Sequence, residues 1–296
     1  MKEFPTSFFS AGSRIASLLP VVFFLFRKYP YKHYNIIQML KNNLYISVVI
    51  PAHNEEAFIG KCLDSLMKQT LNNKFFGVIV VDNASDDKTS KIAKKYPVKV
   101  VFEAKKSVVW ARQKGAEESS GEIIVSADAD TYYPPDWLKT IRANFERNSK
   151  LICLVGWIYY SNTPFIFNYF NALNQQVNRL IQKYTKKFPV CYAANLAFKR
   201  QALEEIGGYP KYLVELGDQQ YLLYKFFHLG EVKIDPKVYC KTSARKLDHI
   251  WTNVLLYNGW HRIMGYIVNR LMGKEVIGPT PAIRTTTPPQ RSRFWR

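Results

Sequence analysis

The stretch Glu122-Ile-Ile-Val-Ser-Ala-Asp-Ala-Asp130 predicts a buried strand that ends in two carboxylates. Because successive residues of a strand point to opposite faces, Asp128 and Asp130 would lie on the same side of the chain. Two carboxylates placed in this way suit Mg²⁺ or Mn²⁺, since these cations prefer oxygen ligands and can link a protein to a phosphate group. Two solvated acids in a turn are the alternative for an isolated Asp-x-Asp.

Two further apolar stretches end in polar residues. Val78-Ile-Val-Val81 is followed by Asp82, and Ile46-Ser-Val-Val-Ile50 is followed by Pro-Ala-His-Asn-Glu55. A helical pattern follows each stretch, and such a series predicts a parallel sheet whose ligands bind at the carboxyl ends of the strands. The sequence therefore predicts an α/β fold with a mostly parallel central sheet flanked by helices.

Composition fits one enzyme-sized domain with appendages and a basic surface. In 296 residues, 47% are hydrophobic, which is enough for a sizeable core. The formal net charge of +19 favours an anionic partner, such as nucleotide phosphates, an acidic lipid surface or nucleic acid. Four cysteines lack metal-type spacing and sit mostly among apolar neighbours, which predicts buried free thiols and a reducing compartment.

Pattern and composition divide the chain into four segments. These are a hydrophobic and basic segment (1–43), the α/β domain (44–246), an amphipathic helical segment (247–277) and a Pro-, Thr- and Arg-rich tail (278–296). The apolar run 15–26 is too short to span a bilayer, so a helix at the membrane interface and a helix packed on the domain are equal alternatives. The same two alternatives apply to 247–277. The tail is predicted to be disordered and attracted to anionic surfaces.

Within the domain, a run of apolar residues recurs at helical intervals and predicts a long amphipathic helix. The stripe consists of Ile166, Tyr169, Phe170, Leu173, Val177, Leu180, Ile181 and Tyr184. Packing of this stripe into the core is the first explanation, because apolar faces of helices are usually buried.

Four motifs, in this order, resemble those of the family 2 glycosyltransferases. They are Val48-Val-Ile-Pro-Ala-His-Asn-Glu-Glu56, Val80-Val-Asp-Asn-Ala-Ser-Asp-Asp-Lys-Thr89, Ala111-Arg-Gln113 and Asp128-Ala-Asp130. The resemblance runs from Ile46 to about Lys246 and implies the GT-A fold. It also implies an inverting enzyme that transfers a sugar from a nucleoside-diphosphate donor to an acceptor hydroxyl, with Mg²⁺ or Mn²⁺ as cofactor.

The resemblance also implies the roles of individual residues. The donor-binding residues would be Pro51, Ala52, Glu55, Asp82, Asn83, Ser85, Arg112, Asp128 and Asn195. Pro51, Ala52 and Glu55 would line the nucleoside pocket, where Glu55 would accept hydrogen bonds from the ribose. Asp82 would contact the base, while Asn83 and Ser85 would shape that loop.

Nearer the diphosphate, Arg112 would approach the phosphates, and Asp130 would coordinate the metal. Asp128 would contact the ribose or reach the metal through water. Asn195 is the candidate for contact with the donor sugar or the acceptor. Ordinary turn and helix-capping roles are the alternatives for Asn54, Asn83 and Asp86.

Sugar transfer needs a base that removes the acceptor proton. The resemblance implies an acid pair before a helix, which corresponds here to Glu215-Leu-Gly-Asp-Gln219. Lys225 and Gly230 resemble later landmarks of the family, and counting back from them places Gln219, not Asp218, at the family's usual base position. Asp218 is the natural candidate, Glu215 could substitute for it, and impaired activity is the third possibility.

Thr242-Ser-Ala-Arg-Lys246 resembles a later motif of the family. Its basic residues would either meet phosphate or form part of the surface.

Together these features predict a metal-dependent, inverting glycosyltransferase of cell-envelope polysaccharide or glycolipid synthesis. We expect it in the cytoplasm, peripherally bound to the anionic inner face of the membrane, and we expect no nucleic-acid partner. A lipid or lipid-linked saccharide as acceptor is a hypothesis that rests on the terminal amphipathic segments and the charge.

Two alternative functions are weaker. A metal-dependent nucleotidyltransferase would need a glycine-rich, basic triphosphate loop, and 51–56 contain neither glycine nor lysine. A noncatalytic basic protein that binds membranes or nucleic acid would leave the acids at three strand ends without a purpose.

Overall fold

The computed structural model describes residues 44–161, 163, 165–185, 193–213, 217–246, 268 and 271–273. The predictions for 1–43 and 278–296, nearly all of 247–277, Glu215 and Cys191 lie outside the described residues. Among the helices that are described, none combines the length and the apolarity needed to cross a bilayer.

The first part of the domain alternates strands and helices, as predicted. Its strands are β1 (Ile46–Ala52), β2 (Phe76–Asp82), β3 (Lys99–Phe102) and β4 (Ile123–Ser126), and its helices are α1 (Ile59–Met67), α2 (Thr89–Ala93) and α3 (Val108–Glu117). The four strands lie in the order β3-β2-β1-β4, and each neighbouring pair is parallel. Their carboxyl ends therefore meet at one edge of the sheet.

The second part is less regular. It contains β5 (Thr131–Tyr132), α4 (Trp137–Arg147), β6 (Leu151–Ser161), α5 (Phe165–Thr185), β7 (Leu196–Lys199), α6 (Arg200–Glu205), α7 (Gly217–Leu229) and β8 (Glu231–Ser243). Short 3₁₀ turns cover Asn73–Phe75, Ala193–Asn195 and Ala244–Lys246.

One sheet joins both parts, in the order β3-β2-β1-β4-β7-β6-β8-β5. Strand β7 is antiparallel to both of its neighbours, and β5 is antiparallel to β8, while β6 and β8 are parallel. The predicted α/β fold with a mostly parallel sheet is confirmed. The antiparallel strands were not predicted, because a four-residue apolar run does not reveal its direction.

Buried apolar side chains fill both faces of the sheet. Ile50 of β1 belongs to the same core cluster as Leu138 of α4, whereas Val49 belongs to the opposite cluster with Phe226 of α7. Gly115 lets α3 lie directly on β1, because a Cβ atom there would come within 2.2 Å of Val49 Cγ1. This close packing fixes the depth at which α3 presents its other side chains.

The described cysteines agree with the prediction of buried free thiols. Cys62, Cys153 and Cys240 are buried and form no disulfide with one another.

Helix α5 contradicts the prediction of a core-packed apolar stripe at four of the eight stripe residues. The side chains of the other four, Ile166, Phe170, Ile181 and Tyr184, lie outside those that the structure describes. Tyr169, Leu173, Val177 and Leu180 are exposed by 55%, 51%, 43% and 45%. Among the α5 side chains that the structure describes, the buried ones are the amides Asn171, Gln175 and Asn178. The helix packs on strand β6, and its buried side contacts backbone N–H and C=O groups that require hydrogen-bond partners. Amide side chains can satisfy these groups and apolar side chains cannot.

Candidate functional site

The loops that follow β1 and β2 hold each other in place. The Asn54 N–H donates to Ser85 Oγ at 3.1 Å, and Asn54 Oδ1 accepts from the Asp86 N–H at 2.7 Å. The Glu55 N–H donates to Thr89 Oγ1 at 2.7 Å. Asn54 has a φ of +53°, a conformation that asparagine tolerates better than most residues. Pro-Ala-His-Asn-Glu and the motif after β2 thus form one fixed rim.

Within this rim, Asp82 and Asn83 have well-defined partners. The nearly buried Asp82 accepts from the Ser85 N–H at 3.0 Å, which shapes the turn after β2. Asn83 Nδ2 donates to the carbonyls of Glu103 (3.1 Å) and Lys105 (2.6 Å), which ties in the loop after β3. These contacts agree with the loop-shaping role implied for Asn83 and Ser85. Contact of Asp82 with a base stays a prediction.

The capping alternatives are not supported for Asn54 or Asp86. Helix α1 has Phe58 at its N-cap position and no side-chain cap, while Asn54 bonds across to the neighbouring loop. At the start of α2, Asp87 rather than Asp86 accepts a hydrogen bond from the Thr89 N–H, at 2.8 Å. Although partial burial opposes it, hydrogen bonding, mainly from Thr89, lowers the pKa of Asp87.

The backbone of Asp128 is anchored by buried groups. The Tyr133 hydroxyl accepts from the Asp128 N–H at 2.8 Å and lies 3.1 Å from the Ala194 carbonyl, to which it can donate. The Cys62 thiol donates to the Asp128 carbonyl at 3.5 Å. Burial raises the pKa of Tyr133, so the hydroxyl keeps its proton. The first carboxylate of Asp-Ala-Asp is therefore held on a rigid support.

Asp130 is held from the other side by the end of β8. Its carbonyl accepts from the Ser243 N–H at 3.2 Å, and its Oδ1 accepts from Thr242 Oγ1 at 3.4 Å. Thr131 and Thr242 are register partners in β5 and β8, and their hydroxyls lie 2.9 Å apart.

The acids after β1 and β4 lie close to one another. Burial raises the pKa of the Cys62 thiol, and the charges of Asp130, Asp128 and Glu55 raise it further. Arg245 Nη2 contacts Glu55 Oε1 and lies 3.1 Å from Asp130 Oδ2, so one side chain reaches acids from both strand ends. These acids gather at the carboxyl edge of the sheet, as the sequence predicts.

Arg112 joins Asp128 to helix α7. It is 2% exposed, its Nη1 donates to Asp218 Oδ2 at 2.8 Å, and its Nη2 lies 3.8 Å from Asp128 Oδ1. Asp218 is fully buried, and Gln219 beside it is nearly so. Asp218 therefore holds Arg112 at the site, and its role as base stays a prediction that requires α7 to move before an acceptor can reach the carboxylate.

Arg245 is the site residue whose position the sequence left open. Its Nη2 lies 3.1 Å from Asp130 Oδ2 and also contacts Glu55 Oε1, while the guanidinium carbon lies 4.7 Å from the centre of the Phe58 ring. Its side chain is only 19% exposed, so the alternative of a surface residue is wrong. Burial acts to lower the pKa of Arg245, but the charges of Asp130 and Glu55 prevail and raise it. The signal in the sequence was the motif at 242–246.

Asn195 has a structural role that the sequence did not reveal. Its Nδ2 donates to the carbonyls of Trp157 (2.9 Å) and Val238 (3.0 Å), and its Oδ1 accepts from Trp137 Nε1 (2.9 Å). The residue is buried, and both of its amide hydrogens are used inside the protein. We therefore assign Asn195 to the fold and not to donor binding.

Asp128 and Asp130 fit a divalent cation that arrives together with a phosphate ligand. In the part of the chain that the structure describes, no group of three His, Cys, Asp or Glu side chains forms a metal cage. Mg²⁺ is commonly held by one or two carboxylates together with substrate phosphates, so a full protein cage is not needed. The oxygen donors present suit that arrangement.

Comparison with known proteins identifies a family and several relatives. The model of the family described as Glycosyl transferase family 2 matches residues 47–207, more than half of the chain. Glycosyltransferase AglE of Haloferax volcanii is 29% identical over 184 residues, which cover 59% of each protein. The matched part makes up only about a third of the length of two further curated relatives, 35% of one and 32% of the other.

Two solved structures have a similar fold. TarS of Staphylococcus aureus, in complex with UDP-GlcNAc, has a TM-score of 0.57 at 20% identity, over 77% of this chain and 66% of that one. The mannosyltransferase PcManGT of Pyrobaculum calidifontis, in complex with GDP-Man and Mn²⁺, has a TM-score of 0.58 at 20% identity, over 77% and 64%.

Proposed function

From the premise that this chain belongs to glycosyl transferase family 2 and has the GT-A fold, we propose that it transfers a sugar from a nucleoside-diphosphate donor to an acceptor hydroxyl with inversion. One observation carries the proposal. Carboxylates from the ends of β1 and β4 gather at one edge of the sheet, together with the arginines Arg112 and Arg245.

The donor would lie across this edge. The nucleoside would meet the rim formed by the loops after β1 and β2, which contains Pro51, Ala52, Glu55 and Asp82. Its diphosphate would receive charge-assisted hydrogen bonds from the arginines, whose planar groups match phosphate oxygens. Arg245 Nε has no hydrogen-bond partner within the described ranges, so this guanidinium has spare capacity to donate. The two solved relatives that bind UDP-GlcNAc and GDP-Man support this class of donor.

Asp130, together with Asp128, would hold Mg²⁺ or Mn²⁺. When bound, such a cation neutralises the charge that gathers on the leaving nucleotide. Hydrogen bonds that join the backbone of Asp128 to the buried Tyr133 and Cys62 side chains would hold its carboxylate in position for the cation. PcManGT was solved with Mn²⁺, which supports a divalent cation here.

A side chain must also take the proton of the acceptor. Asp218 and Glu215 are the candidates, and Asp218 would first have to leave Arg112. Asp218→Asn and Glu215→Gln distinguish them, because only loss of the true base should abolish transfer while donor binding is kept.

The acceptor we propose is a lipid or a lipid-linked saccharide at the anionic, cytoplasmic face of a membrane, in cell-envelope polysaccharide or glycolipid synthesis. The net charge of +19 supports attraction to such a surface.

A panel of sugar nucleotides tests the function. Purified protein is mixed with each UDP- and GDP-sugar and with Mn²⁺ or Mg²⁺, and nucleotide release is measured. We expect release from one donor, its loss in Asp130→Asn, and its retention in Asp136→Asn, a matched change at an exposed acid six residues away. Failure to release nucleotide from any donor, or unchanged release by Asp130→Asn, would contradict the proposal.

A further inference from the structure

Helix α5 presents a continuous apolar face to solvent. Phe165, Tyr169, Leu173, Val177 and Leu180, here named the α5 face, are all exposed. Their spacing of four, four, four and three residues places them on one side of the helix. Single exposed apolar residues are common on proteins, but a contiguous apolar row of this length marks an interaction surface.

The opposite side of α5 explains why the apolar side faces outward. Gln175 Oε1 accepts from the Ile158 N–H, and Gln175 Nε2 donates to the Ile158 carbonyl, both at 2.9 Å. Asn168 makes the same pair of bonds with Tyr160, at 2.9 and 2.8 Å. The side-chain amides of α5 thus copy the hydrogen bonds that a neighbouring strand would make.

Strand β6 needs these bonds. It pairs with β7 only over Cys153–Val155, so beyond Val155 this edge of β6 has no strand partner among the described residues. Unpaired backbone groups beneath a helix are costly, and the amides satisfy them. Helix α5 cannot turn its apolar face inward without breaking the bonds to Ile158 and Tyr160. The exposure of the α5 face therefore follows from the architecture.

Charge indicates what covers this face. The segment 162–192, which contains α5, has four basic residues and no acidic residue. One of them, Arg179, is exposed on the helix itself, and the whole chain has a net charge of +19. Aromatic and aliphatic side chains beside basic ones are typical of helices that lie in the interface of an anionic bilayer.

The α5 face also begins close to the candidate site. Helix α5 follows β6, whose last residue, Ser161, donates through Oγ to the Thr242 carbonyl at 2.8 Å. Thr242 in turn donates to Asp130 at 3.4 Å. A lipid surface against α5 would therefore lie near the crevice in which the acceptor must react.

We propose that the α5 face docks the protein on an anionic membrane and so brings the donor crevice to a lipid-linked acceptor. The docking follows from α5 alone, while the part that concerns the acceptor rests on the proposed glycosyltransferase function.

The test is flotation of the full chain with vesicles of phosphatidylcholine containing anionic phosphatidylglycerol, and with vesicles of phosphatidylcholine alone. Tyr169→Gln with Leu173→Gln should weaken binding to the anionic vesicles by about tenfold or more, because it removes two inserted side chains. Arg179→Gln should weaken binding to anionic vesicles by about fivefold and leave binding to neutral vesicles unchanged.

Met67→Gln with Phe102→Gln is the matched control, because both residues are large, apolar and exposed but lie outside α5. This control should bind as wild type does. Equal binding by wild type and the Tyr169/Leu173 variant, equal loss in the control, or failure of wild type to bind anionic vesicles would each overturn the docking proposal.

Two further outcomes would identify another occupant of the face and also overturn the proposal. A dimer of the wild type that the Tyr169/Leu173 variant abolishes, without vesicle binding, would indicate a second copy of the chain. A lower urea midpoint of the variant, without vesicles, would indicate that the chain covers the face itself.

Nucleotide release without lipid separates the docking from the function, since none of the residues assigned above to the candidate site belongs to the α5 face. The Tyr169/Leu173 variant should release nucleotide as wild type does. If wild type releases nucleotide but does not bind vesicles, only docking fails. If binding depends on the α5 face but no donor is consumed, only the proposed function fails.

Discussion

Helices α4 and α5 are both amphipathic and pack on the same sheet, but α4 buries its apolar side and α5 buries its polar side. In α4, the apolar residues Trp137, Leu138, Ile141 and Phe145 are buried in the core. In α5, three amides (Asn171, Gln175 and Asn178) are buried, whereas the five apolar residues of the α5 face are exposed. Helix α4 covers a face of the sheet, where side chains meet side chains, whereas α5 covers the edge of β6, where backbone groups require partners. What a helix packs against, and not its pattern alone, decides which side is buried.

The largest difference between the two helices is expected in the free energy of unfolding when one leucine in each is replaced by alanine. Leu138→Ala in α4 should lower the free energy of unfolding by about 2–5 kcal/mol, because it leaves a cavity in the core. Leu173→Ala in α5 should change it by less than about 0.5 kcal/mol, because Leu173 has no core to leave. Urea unfolding followed by circular dichroism measures both. A loss of several kcal/mol at Leu173 would show that the α5 face is packed against protein.

A smaller effect is expected on the polar side of α5. Gln175→Ala should cost about 1–3 kcal/mol, since it leaves the Ile158 N–H without its acceptor, while the Ile158 carbonyl still accepts from Asn171 Nδ2 at 2.7 Å. Asn174→Ala is the control on the exposed side and should stay within about 0.5 kcal/mol of wild type. If both variants unfold at the same urea concentration as wild type, the amides do not hold α5 in this orientation.

The smallest expected effect is a difference in how stability depends on pH. It distinguishes α5 from the loops that follow β1 and β2, here named the crevice loops. Amides do not titrate, so the cost of Gln175→Ala should be the same at pH 4 and pH 7. The pKa of Asp87 is lower in the folded protein than in the unfolded chain, so its carboxylate stabilises the fold above its unfolded pKa. That contribution, less than about 1 kcal/mol because the group is partly exposed, disappears as pH falls through the folded pKa.

Asp87→Asn should therefore be less stable than wild type at neutral pH, and the difference should shrink as the pH is lowered. Urea midpoints of the two proteins at several pH values measure it. A difference that stays constant with pH would mean that the charge of Asp87 does not contribute, and the crevice loops would then resemble α5 in depending on neutral hydrogen bonds.

The parallel half of the fold and its site could be predicted because their signals are local. A short apolar strand, an acid at its end and a helix after it specify where Asp82 and Asp130 lie, whatever the rest of the chain does. The loops that follow β1 and β2 are likewise each predicted by one motif. For this reason, the α/β fold and the gathering of acids at one edge of the sheet could be predicted from the sequence.

The remaining features depend on partners distant in sequence. Asn195 looks like a ligand residue until Trp137 and Val238 are seen to use its amide. Asp218 looks like a free base until Arg112 is seen beside it. Arg245 could have been a surface residue, and its place at the site depends on β8 ending beside β5. None of these pairings leaves a periodic signal.

The central claim is that the chain binds a nucleotide at the carboxyl edge of the sheet and lipid at the α5 face. Hydrogen–deuterium exchange of the full chain tests both at once, with Mn²⁺ and UDP or GDP in one series and anionic vesicles in the other. We expect the nucleotide to protect residues 52–56, 82–87 and 243–246, and the vesicles to protect 165–180 instead. Loops that exchange equally with and without nucleotide, or vesicles that leave 165–180 unchanged, would contradict it.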